Sequence, residues 1–95
     1  MAVQQPFVDA QIAARLRMLP RYRVVLHNDD NNDMDRVVRA LLYIVMPLSV
    51  NDAIAVMLRA QTYGSAHIIT CLRETAEFYA DGLAGFGLAT SIEPA

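Results

Sequence analysis

The sequence has little of several features that would have pointed to a class of function. Its single cysteine, Cys71, excludes an internal disulfide framework and suits a reducing compartment. Its 8 basic residues are outnumbered by 10 acidic ones, which gives a formal net charge of −2. The cations are arginines that occur singly along the chain. Because nucleic acids require clustered cations, they are not the expected partner.

Long apolar runs are also lacking. The longest, residues 40–48, is too short to cross a bilayer, and residues 1–20 lack the continuous apolar segment of a signal peptide. We therefore expect a cytoplasmic protein without a membrane partner. With 95 residues, of which 55% are hydrophobic and 19% charged, the chain can bury one small core and is not expected to be disordered.

The pattern of apolar residues predicts one α+β domain. Residues 1–20 contain Pro6 and Pro20 and are interpreted as a flexible N-terminal extension, in which residues 10–19 could form a nascent helix that ends before Pro20. Residues 21–95 are expected to form the core domain. Strands are predicted over 21–27, 66–71 and 88–92, and helices over 34–46, 50–63 and 72–86. The order β-α-α-β-α-β predicts a three-stranded antiparallel or mixed sheet packed against three helices.

The second predicted helix has clear signals at both ends. Ser49 and Asp52 form a capping-box pattern before it, and Gly64 is expected to end it. Its inner face is predicted to contain five apolar residues and one polar residue: Val50, Ala53, Ile54, Met57, Leu58 and Gln61. Gln61 is unusual there, because a buried amide without a partner costs about 1–3 kcal/mol. Two interpretations stay open: Gln61 bonds backbone near the helix end, or it lines a polar pocket.

A run of polar residues, 27–33, joins the first strand to the first helix. It does not fit a calcium loop, because Met34 stands where glycine is required and Ala40 where the bidentate glutamate is required. His27 and His67 lack the spacing of a zinc site, and neighbouring carboxylates usually point apart. No metal, cofactor or enzymatic activity is therefore expected.

The helix after this run needs only one cap, which Asn32 or Asp33 can supply. That leaves Asn28, Asp29 and Asp30 as spare hydrogen-bond acceptors beside an apolar helix. Such a combination favours a site for a cationic group next to an apolar surface.

The order of these landmarks resembles the ClpS adaptor family. The resemblance covers roughly residues 20–95 and suggests a divergent or second-type member. It rests on the segment 22–30, on the closing segment 88–95, and on Met34, Val37, Val38, Met57, Leu58, Gly64, Ser65 and Ala66. The family implies an α+β sandwich of three strands and three helices, in agreement with the predicted order.

The resemblance also implies a function. ClpS proteins bind N-degron substrates with a bulky hydrophobic N-terminal residue (Phe, Tyr, Trp or Leu) through its free α-amino group. They deliver these substrates to a AAA+ Clp unfoldase by docking on the N-terminal domain of ClpA or ClpC. An alternative is a regulator that docks on the unfoldase and alters substrate choice without reading N-degrons itself.

By motif position, the resemblance implies three groups of site residues. The α-amino group would be bound by Asn28, Asp29, Asp30 and Gln61, with Asp29 supporting the turn. The hydrophobic pocket would be lined by Met34, which acts as a gate, and by Val37, Met57, Ala60 and Leu88. Asn32 would lie at the rim, and Glu74 would face the unfoldase.

Several positions depart from the family pattern. Gln61 stands where most members have histidine, and Ala60 stands where valine is common, which would enlarge the pocket floor. Asn32 and Asp33 replace the usual Thr-Pro before the gate residue. Tyr79 stands where a lysine is often found five residues after Glu74.

Overall fold

The computed structural model, which describes residues 6–95, contains a three-stranded sheet with one central strand. The elements are α1 (Pro6–Met18), β1 (Arg21–His27), α2 (Met34–Ile44), α3 (Val50–Tyr63), β2 (Ser65–Leu72), α4 (Arg73–Gly85) and β3 (Thr90–Pro94). The sheet order is β2-β1-β3, and both neighbours run antiparallel to β1. The predicted α+β fold with three strands is confirmed, and the sheet is purely antiparallel.

A β-bulge explains why the second strand alternates only weakly in sequence. Val24 pairs with Ile69, whereas the next residue, Val25, pairs with His67, so Ile68 is an extra residue in β2. A bulge of this kind turns two consecutive side chains towards the same side of a sheet. Ile68 is buried in the core and Ile69 packs against the core as well.

The helices α2, α3 and α4 enclose a single apolar core against the sheet. Helix α4 contacts all three strands, α3 contacts β1 and β2, and α2 packs on α3 and α4. The buried cluster consists of Val24, Leu26, Ala40, Leu41, Val45, Ala53, Val56, Ala60, Ala66, Ile68, Ala76, Leu83 and Leu88. Because Ala60 and Leu88 belong to this cluster, the core is continuous with the site described below.

The inner face predicted for α3 is wrong in most of its residues. The residues that are buried on this helix are small: Ala53, Val56 and Ala60. Three of the larger residues expected inside are exposed: Val50 by 57%, Ile54 by 38% and Leu58 by 47%. The helix therefore buries the face with small side chains and not the more hydrophobic one.

The ends of α3 follow the sequence signals. The Ser49 hydroxyl accepts a bond from Asp52 N at 3.0 Å, and the Asp52 carboxylate accepts one from Ser49 N at 3.2 Å. Gly64 ends the helix with φ of +90° and donates its N–H to Ala60 O at 2.8 Å. Both the capping box and the glycine end are confirmed.

The final strand begins later than predicted, at Thr90 instead of Leu88. The Leu88 N–H bonds Leu83 O at 3.1 Å, so Leu88 still belongs to the turn that ends α4. We call the four residues 86–89, between α4 and β3, the connector.

The N-terminal extension contains a helix, α1, which begins earlier in the chain than the predicted stretch 10–19. Among residues 6–95, α1 packs against none of the other elements. The division of the chain at residue 20 stays a prediction. No helix in the described part of the chain is both long and apolar enough to cross a membrane.

Candidate functional site

The polar turn between β1 and α2 is tied to two other segments through its backbone. His27 N donates to Ala89 O at 2.8 Å, which attaches the turn to the connector. Asn28 N donates to Gly64 O at 2.9 Å, which attaches it to the junction of α3 and β2. The polar side chains are therefore held where three parts of the fold meet.

Asp29 stabilises the turn from within. One oxygen of its carboxylate accepts the backbone N–H of Asn31 at 2.9 Å and that of Asn32 at 3.0 Å. The Asn32 amide lies 3.2 and 3.3 Å from the two carboxylate oxygens. These bonds form an Asx turn, in which a short side chain replaces backbone contacts.

Asp33 is the cap of α2. Its side chain accepts the Arg36 N–H at 2.8 Å, and its backbone is extended as an N-cap requires. The sequence predicts either Asn32 or Asp33 as this cap. Asn32 has a different contact: its side-chain nitrogen donates to Gly87 O, in the connector, at 2.9 Å.

Asn28 and Asp30 stand apart from this network. Both residues are exposed. Within residues 6–95, their side chains take part in no hydrogen bond or ion pair. They are thus available to a ligand, unlike Asp29 and Asp33.

A cavity of about 340 Å³ opens beside the turn. It is lined by Leu26, His27, Asn28, Asp29, Asp30, Asn32, Asp33, Met34, Val37, Met57, Ala60, Gln61 and Leu88. All of the residues that the resemblance assigned to the α-amino site, the hydrophobic pocket and the rim lie on this one cavity. Sequence reasoning missed three of the lining residues. For one of them, Leu26, a signal was available, because it lies two residues before Asn28 and on the same side of β1 as Val24.

The cavity becomes more buried from its mouth to its base. Met34 is 52% exposed, and Val37 and Met57 are half-buried. Ala60 and Leu88 are exposed by only 2% and 4%. Gln61 is exposed, so the free-energy cost of a buried, unpaired amide does not apply to it. It lies on the cavity wall, in agreement with the interpretation that it lines a polar pocket.

The charges around the cavity are of one sign. Asp29, Asp30 and Asp33 contribute carboxylates, and none of the described lining residues is an arginine. His27 Nε2 is 2.7 Å from Ser91 Oγ on β3. This arrangement favours a cationic group at the turn and an apolar group at the base. Within residues 6–95, no group of three or more His, Cys, Asp or Glu could hold a metal ion.

Glu74 lies in a different place, on a second groove of about 370 Å³. That groove is lined by Ile44, Met46, Glu74, Thr75, Phe78 and Tyr79. It shares no lining residue with the first cavity. Met46 and Phe78 are 81% and 67% exposed, so the groove presents an apolar surface with one acidic residue.

Comparison with known proteins now decides the family. The model of the ATP-dependent Clp protease adaptor protein ClpS matches residues 17–90. The chain belongs to the ClpS family. An ATP-dependent Clp protease adapter protein ClpS of Synechococcus elongatus is 42% identical over 92 residues, which are 97% of this chain and 93% of that protein. Another ClpS, from a Synechococcus species, is 49% identical over 75 residues, covering 79% of this chain and 72% of that protein.

A solved structure shows the same fold. It is Agrobacterium tumefaciens ClpS2 bound to L-phenylalaninamide, with a TM-score of 0.72 and 32% identity, covering 80% of this chain and 98% of that one. The ClpS relatives also include the chloroplastic CLPS1 of Chlamydomonas reinhardtii, 41% identical over 79% of this chain and 46% of that protein. This chain is an adaptor of the Clp protease and not an enzyme, as its family and relatives are named.

Proposed function

We propose that this ClpS protein binds the N-terminal residue of N-degron substrates when that residue is Phe, Tyr, Trp or Leu. The observation that carries the proposal is the cavity that joins an acidic turn to an apolar base, with the side chains of Asn28 and Asp30 making no hydrogen bond among residues 6–95. A ligand that fills it needs a cationic group a short distance from a bulky apolar group. A substrate's first residue, with its α-ammonium and side chain on one carbon, has this chemistry.

The α-ammonium would be bound by Asn28 and Asp30. Both residues are exposed, and their side chains make no intramolecular hydrogen bond among residues 6–95. Charge-assisted hydrogen bonds contribute about 1.5–3 kcal/mol each. Asp29 would act indirectly, since its carboxylate already accepts the N–H groups of the turn.

The first side chain would enter the apolar base, where Ala60 and Leu88 are buried. Burial of a Phe or Leu side chain contributes about 1.5–3 kcal/mol. The small Ala60 leaves room for an aromatic ring. Met34, at the mouth, would act as the gate that disfavours β-branched first residues, because such side chains carry extra bulk next to the α-carbon.

Gln61 would provide a third polar contact to the substrate terminus. Its amide lies on the cavity wall and is exposed, so it is free to rotate towards a ligand. Glutamine offers both an acceptor and donors, but unlike histidine it does not titrate near neutral pH. Substrate binding through position 61 should therefore not vary with pH in this protein.

Delivery to the unfoldase would use the second groove. Met46, Phe78 and Glu74 offer an apolar surface with an acidic edge, suited to the N-terminal domain of ClpA or ClpC. Since this groove and the first cavity have no residue in common, substrate and unfoldase could be bound together. We place this activity in the cytoplasm, because the unpaired Cys71 suits a reducing compartment.

Fluorescent peptides that differ only in their first residue test the proposal. Peptides beginning with Phe, Tyr, Trp or Leu should bind with micromolar or better affinity, because the polar and apolar contributions add. N-acetylated copies of the same peptides should not bind, since acetylation removes the charge and two donors. Equal binding of both sets would contradict the proposal.

Charge reversal at Glu74 separates binding from delivery. Glu74→Arg should keep the peptide affinity of the wild type and lose capture of the isolated unfoldase N-terminal domain. Glu77, which is already paired with Arg73 at 3.0 Å on the same helix, offers the matched control Glu77→Arg. A wild-type protein that captures the domain but binds no peptide would favour the regulator that does not read N-degrons.

A further inference from the structure

The connector, residues 86–89, forms part of the cavity without belonging to a strand or helix. It supplies Leu88, which lines the cavity and is 4% exposed. The N–H groups of Phe86, Gly87 and Leu88 bond back to carbonyls at the end of α4, at 2.9–3.1 Å. Gly87 has φ of +81°, so the chain turns sharply just before Leu88.

The carbonyl groups of the connector are held from the opposite side. Arg36 Nη2 donates to Phe86 O at 3.0 Å, and Asn32 Nδ2 donates to Gly87 O at 2.9 Å. His27 N donates to Ala89 O at 2.8 Å. The three donors all come from the end of β1, the polar turn and the start of α2. Two of these bonds depend on side chains, and those two lie on either side of the bend at Gly87.

The two side-chain donors are themselves oriented by the turn. The Asn32 amide also lies within 3.3 Å of both Asp29 carboxylate oxygens. Arg36 lies in the first turn of α2, where the Asp33 carboxylate caps the helix by accepting the Arg36 N–H at 2.8 Å. Two of the acidic residues in the turn thus hold the clamp, and Asp30 is left for the ligand.

We propose that Asn32 and Arg36 are positioning residues that clamp the connector and thereby set how well the cavity discriminates between first side chains. The inference rests on the proposed function. The bonds from Asn32 and Arg36 fix the position of Leu88, and Leu88 is part of the apolar surface that the substrate's first side chain contacts. Arg36 does not line the cavity, so it acts only through the connector.

Variants that remove each donor and keep the side-chain shape test the clamp. Asn32→Asp loses the N–H donor, and Arg36→Met keeps the aliphatic stem. Asn31→Asp adds the same charge one residue away, and Arg39→Met changes an exposed arginine whose 3.0 Å partner is Asp35. Neither control residue lines the cavity, and neither side chain makes a hydrogen bond or ion pair with the connector in the described part of the chain.

Two readouts distinguish positioning from general stability. In both test variants, amide hydrogen exchange at Gly87 and Leu88 should accelerate, and the ratio of dissociation constants for Phe- and Leu-starting peptides should change by about three-fold or more. Both controls should keep the wild-type exchange and ratio. A loss of fold stability alone would weaken both peptides equally and leave the ratio unchanged.

The outcomes separate the inference from the proposed function. A wild-type protein that binds neither peptide overturns the proposed function. If the wild type discriminates and both test variants keep its ratio, the proposed function stands and the clamp is overturned. Unchanged exchange at Gly87 and Leu88 overturns the clamp as well.

Discussion

At the scale of single residues, the acidic turn divides its work among chemically similar side chains. Asp29 and Asp33 bond N–H groups of their own turn and helix, whereas Asp30 is free among the described residues. The sequence predicted that one cap would leave spare acceptors. It could not predict the bond from Asn32 to Gly87, because that contact joins positions 55 residues apart.

Removing the charge at Asp30 should weaken substrate binding strongly. Asp30→Asn keeps the shape of the side chain but replaces the carboxylate with a neutral amide. The attraction between two opposite charges is then lost, so affinity for a Phe-starting peptide should fall roughly ten-fold. Fluorescence anisotropy measures the change. Asp35→Asn is the matched control, since Asp35 is an exposed partner of Arg39 away from the cavity. Equal losses in the two variants would refute the role of Asp30.

The Cys71 thiol should be less reactive in the folded protein than in the unfolded chain. Burial raises the pKa of Cys71, and the nearby charge of Arg21 only partly opposes this. Because the thiolate is the nucleophile, half-maximal alkylation by iodoacetamide should occur at higher pH in buffer than in urea. The stabilising contribution of the neutral Cys71 thiol is fully present below the pKa that the thiol has in the unfolded chain. It is lost as pH rises through the higher pKa of the folded protein. A native profile at lower pH would contradict this assignment.

At the scale of helices and strands, local sequence signals predicted the ends of α3 better than the face that it buries. The capping box at Ser49 and the glycine at position 64 act within one turn of chain, so they are visible in sequence. The buried face of α3 and the bulge at Ile68 depend on how closely helix and strand approach, which no local pattern records. The late start of β3 has the same origin, because Leu88 is held by the end of α4.

Two glycine-to-alanine changes should have opposite effects at two helix ends. Gly64 has a positive φ of +90° and open space around it, so Gly64→Ala should cost about 1–2 kcal/mol from backbone strain alone. Gly85 also has open space but no positive φ, so Gly85→Ala should be neutral or stabilising by up to about 1 kcal/mol. Urea unfolding measures both. Equal destabilisation would show that side-chain crowding, not backbone conformation, limits these positions.

At the scale of the whole molecule, the candidate site lies where the sheet, α2, α3 and the connector meet. Its residues come from separate stretches of sequence, including 26–37, 57–61 and 88. Composition and periodicity predicted a sheet packed against helices, but not that these separate stretches would meet at one site. The resemblance to ClpS supplied the grouping of site residues, and the cavity brings that group together.

Deletion of residues 1–18 should leave the core intact. Helix α1 contacts none of the other described elements, so the melting temperature and the affinity for a Phe-starting peptide should match those of the full chain. Degradation of a Phe-starting reporter by the Clp protease should decrease, since the resemblance to the ClpS family implies that the extension acts in delivery. A shorter chain that melts earlier or binds more weakly would show that the extension is part of the core.

The proposed function requires one cavity to bind an α-ammonium and a bulky apolar side chain together. An NMR titration with L-phenylalaninamide and with N-acetyl-L-phenylalaninamide tests it most directly, because the two ligands share the same side chain and differ in charge at the amine. With the free amine, saturable shifts are expected at the amides of Asn28, Asp30 and Leu88, and none are expected with the acetylated ligand. Matching shifts with both ligands, or shifts that avoid these three residues, would contradict it.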